Sequence, residues 1–98
     1  MKSRLARSGK AVWEWCRLNR HASLLDQQRY LSRVIRDYYG LTGNGKQLGR
    51  FRRAVMKAWR QWLGRRTHEG FIPWARFNQI LARYPLPAAK VVRLIYAT

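Results

Sequence analysis

Arg50, Arg53, Lys57 and Arg60 recur at three- and four-residue spacing, which puts their side chains on one side of an α-helix. From Lys46 to Arg66 the chain carries eight Lys or Arg residues and no acid: Lys46, Arg50, Arg52, Arg53, Lys57, Arg60, Arg65 and Arg66. An ordinary solvated helix face mixes signs and gains from opposite charges four residues apart. This one has like-charge repulsion instead, which a polyanion would relieve. Arg29, Arg33 and Arg36 repeat the pattern on the preceding segment. Arginine dominates the basic set, and its planar fork matches phosphate oxygens and stacks on bases. The chemistry these residues point to is phosphate-backbone binding.

Arg52 breaks the division. It lies ~40° from the centre of the apolar stripe by the helical step of 100°. Its stem can pack along the core edge with the guanidinium outside, which is the common fate of such residues, or the guanidinium can reach a specific partner.

Little else in the chain could do chemistry. The acids are Glu14, Asp26, Asp37 and Glu69, each at least eleven residues from the next, so no dyad is expected. Cys16, His21 and His68 lack the close pairing that a zinc site needs. No nucleophile elbow and no P-loop occurs. Gly43-Asn44-Gly45 tolerates positive φ and reads as a turn, not as a nucleotide site. The expectation is a chain without catalysis, metal or cofactor.

The aromatics could serve either purpose. Trp59, Trp62, Trp74 and Phe77 could stack on unpaired bases. They fall at core spacing, however, and a chain of 98 residues needs them inside. Trp13 lies off its helix's main stripe and is the better stacking candidate.

Charge narrows the partner. Twenty-one Lys and Arg against four Asp and Glu give a formal net charge of +17 and a pI near 11.7. Repulsion on that scale disfavours an isolated compact monomer. Nucleic acid is the usual relief, with an anionic membrane surface as the alternative. No segment is apolar for long enough to span a bilayer. Met1 to Lys10 is basic without a following apolar run, so a secretory signal is not expected. A single cysteine precludes an internal disulfide and fits a reducing compartment, read as the bacterial cytoplasm with an organellar address left open.

The elements needed to position these residues are helical. Residues 1–8 read as a flexible basic lead-in. A first helix is expected from Gly9 to Asn19, with Val12, Trp15, Cys16 and Asn19 on one face. Ser23-Leu24-Leu25-Asp26 matches a capping box, and a second helix follows to Tyr39 with Leu24, Leu31, Val34, Ile35 and Tyr38 facing inward. Gly40, Gly43 and Gly45 are expected to end it and form the turn. The third helix, Lys46 to Arg66, buries Leu48, Phe51, Val55, Trp59 and Trp62. After a loop over 67–72, Pro73 opens a last helix with Trp74, Phe77, Leu81 and Tyr84 on its stripe, and Pro85-Leu86-Pro87 stops it. This gives a small all-α bundle of three to four amphipathic helices over residues 9–87, and a tail at 88–98 that could be strand, helix or disordered. Short links between such helices favour antiparallel neighbours.

The order of motifs also carries a resemblance. Tyr38-Tyr39-Gly40-Leu-Thr-Gly43-Asn44, then Leu48-x-x-Phe51-Arg52-Arg53-x-Val55, Trp59-x-x-x-Leu63-x-Arg65-Arg66, Trp74-x-x-Phe77-Asn78 and Tyr84-Pro85-Leu86-Pro87 resemble the C-terminal thumb, or maturase, region of group II intron reverse transcriptases. The resemblance covers residues 10–87. It implies a helical thumb that holds template–primer duplex and grips intron RNA, with Tyr38, Tyr39, Asn44, Arg52, Arg53, Arg65 and Arg66 at family-typical positions. It departs from the family at Val34-Ile35-Arg36, at Thr67-His68 and from Ala88 onward, which fits a truncated member or a chain that begins at an internal Met. The Tyr-x-Asp-Asp motif of the family's catalytic domain does not occur here. The resemblance therefore implies an RNA-binding accessory part that works with a separate reverse transcriptase chain to support splicing or reverse transcription. The alternatives are a DNA-binding helical regulator, with the third helix as its recognition helix, and a cationic membrane-active protein.

Overall fold

The computed structural model describes residues 4–41, 45–66 and 70–88, the side chains of 4–6 and 41 excepted. Four helices make up the described residues: α1 (Arg4–Leu18), α2 (Leu24–Leu41), α3 (Gly45–Gly64) and α4 (Trp74–Arg83). No strand occurs among them, so the all-α bundle expected from the periodicity is the fold.

Local chemistry sets the starts of α2 and α4. The Ser23 hydroxyl accepts the Asp26 backbone N–H at 3.1 Å, which satisfies a donor at the start of α2 that no carbonyl reaches. Asp26 adds an acid in that first turn, where the helix dipole favours it. Pro73 caps α4 with an extended backbone (φ −61°, ψ 152°), and its carbonyl accepts the Phe77 N–H at 3.0 Å. Two boundaries differ from expectation. α1 begins at Arg4, within the segment read as a flexible lead-in, and α2 continues through Gly40 to Leu41. Gly40 is therefore helical and does not end the helix. Gly43, Asn44 and most of the tail after residue 87 lie outside the described residues.

α3 is the centre of the molecule. Leu48, Phe51, Val55, Ala58, Trp59 and Leu63 line its buried face, and α1 packs chiefly on α3 rather than on α2, its neighbour in sequence. From α2, Leu31, Ile35 and Tyr38 enter the same core, with Tyr38 stacked on Phe51 at 4.1 Å between ring centroids. Phe77 brings in α4 edge-on to Trp59 at 5.7 Å. The stack of Trp15 on Tyr30, 3.9 Å apart and nearly parallel, joins α1 to α2.

One buried element of the core is polar. Gln27 is 2 % exposed and lies between Trp59 and Asn19, with a hydrogen bond to each. The Asn19 side chain donates in turn to the Trp15 carbonyl at 2.9 Å. Together they tie α3, α2 and the end of α1 at one point.

The prolines after α4 do more than stop it. Residues 84–88 run back over α2 and α3. There Gln28 donates to the Pro85 carbonyl at 2.7 Å, Leu86 is buried, and the Pro87 carbonyl accepts both the Tyr39 hydroxyl at 3.3 Å and Arg52 Nε at 2.8 Å.

Candidate nucleic-acid interface

The helices that bury the core turn their basic faces outward. On α3, Lys46, Arg50, Arg53 and Lys57 are exposed, and on α2, Arg29, Arg33 and Arg36 are exposed. The side chains of Arg29, Arg33, Arg36, Arg50, Arg53 and Lys57 have no hydrogen-bonding or ionic partner among the described residues. The single ion pair there is Arg17 with Glu14 at 2.9 Å, on the outer face of α1. A helix surface of this kind keeps its guanidinium forks unengaged and hydrated. That is the state from which charge-assisted bonds to phosphate can form.

Other basic residues of the expected interface are partly engaged. Arg52 does both things open to it: its stem lies along the core edge, and its head finds a partner within the chain. Nε bonds the Pro87 carbonyl and Nη1 approaches Met56 Sδ at 3.2 Å. Arg52 thus makes a structural contact within the chain. Arg66 Nη1 donates to the Ala22 carbonyl at 3.3 Å while the side chain stays exposed, and Arg65 is exposed without such a bond. Arg60 is half-buried with its guanidinium 4.6 Å from the centre of the Trp74 ring, and its Nε has no hydrogen-bond partner.

The turn residues serve the core. Tyr38 and Tyr39 are buried, the Tyr38 hydroxyl bonds the Gln47 side chain at 3.2 Å, and the Tyr39 hydroxyl bonds Pro87. Burial raises the Tyr39 phenol above its ordinary value, and the Arg52 charge beside it opposes that shift. A groove of about 380 Å³ opens beside this contact, lined by Gly49, Arg52, Arg53, Met56 and Ala88, with no carboxylate among the described residues of its wall.

The aromatics divide differently from expectation. Trp59 and Phe77 are fully buried, and Trp62 is partly buried with its indole N–H unpartnered. Trp74 was expected in the core but is 41 % exposed. Its position on the edge of a ten-residue helix explains the difference: Phe77 occupies the centre of that short stripe and takes the contact with Trp59. Trp13, the expected outlier, is 40 % exposed and meets Trp62 edge-on at 5.5 Å. Sequence reasoning gave no role to Phe71, which is 56 % exposed.

Cys16 is buried, and desolvation pushes its thiol up to about 12, so it is a small apolar filler of the core and not a nucleophile. No three His, Cys, Asp or Glu side chains come together among the described residues. No helix of the described residues is long and apolar enough to cross a membrane. Comparison with protein-family models, with curated proteins and with solved structures finds no match to this chain.

Proposed function

We propose that this chain is an RNA-binding helical bundle that grips phosphate backbone through the outer faces of α2 and α3. The observation that carries this reading is the set Arg29, Arg33, Arg36, Arg50, Arg53 and Lys57. All six are exposed, and none has a carboxylate partner among the described residues. Each unit of like-charge repulsion they create is relieved when a phosphate enters. The resemblance of the motif order to the thumb of group II intron reverse transcriptases favours structured RNA, or a template–primer duplex, over other polyanions. On that basis the chain is a non-catalytic part that acts with a separate reverse transcriptase chain. Purified alone with primer, RNA template, nucleotides and Mg²⁺, it is expected to extend nothing.

The test is a binding titration against structured RNA, duplex DNA and anionic vesicles across a range of salt. Affinity for the RNA should exceed that for the other two. Its logarithm should fall linearly with log salt, with each engaged cation contributing a slope of roughly −0.7 to −0.9. Charge reversal at Arg50 and Arg53 should flatten that slope and weaken binding to all RNA sequences alike. An affinity that does not respond to salt, or a preference for vesicles, would refute the reading.

A further inference from the structure

We propose that Phe71, Trp74 and Arg60 form a stacking site for unpaired bases, so that the bundle binds RNA at a junction between paired and single-stranded segments. This inference rests on the phosphate-binding reading above and adds a second kind of contact to it.

Its starting point is that Phe71 and Trp74 are 56 % and 41 % exposed, three residues apart, in a chain whose small core has use for every large aromatic. Their placement is fixed from below. Ile72 between them is buried. The Phe71 backbone lies so close to Gly64 that a Cβ on that glycine would stand 2.7 Å from Phe71 Cα. Gly70, at φ +78°, occupies the left-handed region that lets the chain turn into this segment. Pro73, itself extended, then leads directly into α4, which begins at Trp74. Trp74 meets Phe77 edge-on at 5.7 Å, and Phe77 is itself set edge-on against buried Trp59. The two exposed rings are thus carried on a rigid base, which stacking requires.

The surroundings say what would cover them. The Arg60 guanidinium lies over the Trp74 ring at 4.6 Å, and its Nε lacks a hydrogen-bond partner. Arg65 just past α3 and Arg76 in the first turn of α4 are exposed, and the one acid of 60–76, Glu69, lies outside the described residues. Exposed aromatics with one ring under a guanidinium and further arginines close by in the chain complement a partner that is both planar and anionic. An unpaired nucleotide has both properties: its base stacks on an indole or phenyl ring and its phosphate meets Arg60 or Arg65. An apolar protein surface would need the guanidiniums desolvated without a counter-charge, which disfavours it.

The test uses the full chain and two RNA probes of equal length and phosphate count, one a fully paired hairpin and one a shorter hairpin with an unpaired overhang. Wild type should bind the overhang probe more tightly. Trp74→Ala and Phe71→Ala should each lose about ten-fold on the overhang probe, within the range for removing one base–aromatic stack, and little on the paired one. Trp74→Phe should restore most of the loss, and the salt slope should be unchanged in all three. Arg53→Glu, on the other face, should weaken both probes equally. Equal binding of both probes by wild type, with no effect of either alanine variant, would overturn the stacking site while leaving phosphate binding intact. Failure of wild type to bind either probe would overturn both. Helical circular dichroism identifies any variant that has unfolded. Phe71→Ala, at the more exposed position, decides the matter should Trp74→Ala do so.

Discussion

The indole N–H of Trp59 donates to the Gln27 side-chain carbonyl at 2.9 Å, and the amide end of the same glutamine donates to the Asn19 backbone carbonyl at 2.8 Å. A single buried side chain thus satisfies one donor and one acceptor from elements that the sequence keeps apart. Buried polar groups are costly when left unpaired, so a fully used glutamine specifies how three helices meet.

Gln27→Ala should therefore destabilise the bundle by about 1–3 kcal/mol, the cost of leaving a buried donor unsatisfied. Trp59→Ala removes the larger packing contribution and should cost ~3–5 kcal/mol. Urea denaturation followed by helical circular dichroism measures both. An unchanged midpoint for Gln27→Ala would show that the polar link contributes nothing.

Arg52 and Arg53 are adjacent, but Arg52 bonds within the chain while Arg53 faces outward. Arg52→Ala removes one of the two donors to the Pro87 carbonyl and should lower Tm by roughly 4–8 °C for each kcal/mol lost, as expected of a domain this size. Arg53→Glu should leave Tm nearly unchanged and reduce RNA affinity. Thermal melts and binding titrations on the two variants separate these outcomes, and a reversed pattern would exchange the assignments.

Gly64→Ala should be harmful despite alanine's better helix propensity. The added methyl would approach Phe71 Cα to 2.7 Å and the Ile72 nitrogen to 3.1 Å, so the 70–73 segment must move off the end of α3. A loss of about 1–3 kcal/mol, typical of overpacking, is expected in urea titrations. Gly49→Ala is the control, because a Cβ there meets nothing within 4 Å.

Cys16 gives a pH prediction. Its thiol is raised from 9.0 to about 12 in the folded protein by burial, so the unfolded chain loses that proton first as pH rises. The stabilising contribution of the neutral thiol is complete below pH 9 and is lost progressively as pH climbs toward 12. Cys16→Ala should flatten that alkaline decline. A thiol reagent at pH 8 should label Cys16 no faster than the chain opens, and rapid labelling of folded protein would contradict its burial.

Helical periodicity made α2 and α3 legible, because Leu31, Ile35, Leu48, Phe51, Val55 and Trp59 repeat on a strict face and all are buried. Ser23 announced its cap for the same local reason. Gln27 was invisible because amphipathic reasoning sends polar residues outward, and only the position of Trp59, 32 residues away, makes a buried amide favourable. The contact of Arg52 with Pro87 spans 35 residues and leaves no local signature beyond the misfit of an arginine near the apolar stripe. Trp74 was misplaced because a helix of ten residues has a core face too short to bury every member of its stripe. The outward row of Arg50, Arg53 and Lys57 was readable directly, since placing a charge in water requires nothing of the rest of the fold.

Pro87 holds two donors on one oxygen, Tyr39 from α2 and Arg52 from α3, at separations of 48 and 35 residues. That carbonyl is satisfied in full only after both helices have docked, so seating the 84–88 segment is conditional on the rest of the bundle. The order agrees with synthesis: both donors are added to the chain before their acceptor. The prolines then act as a closing clasp, the last piece to be placed and the first to be released when α2 and α3 part.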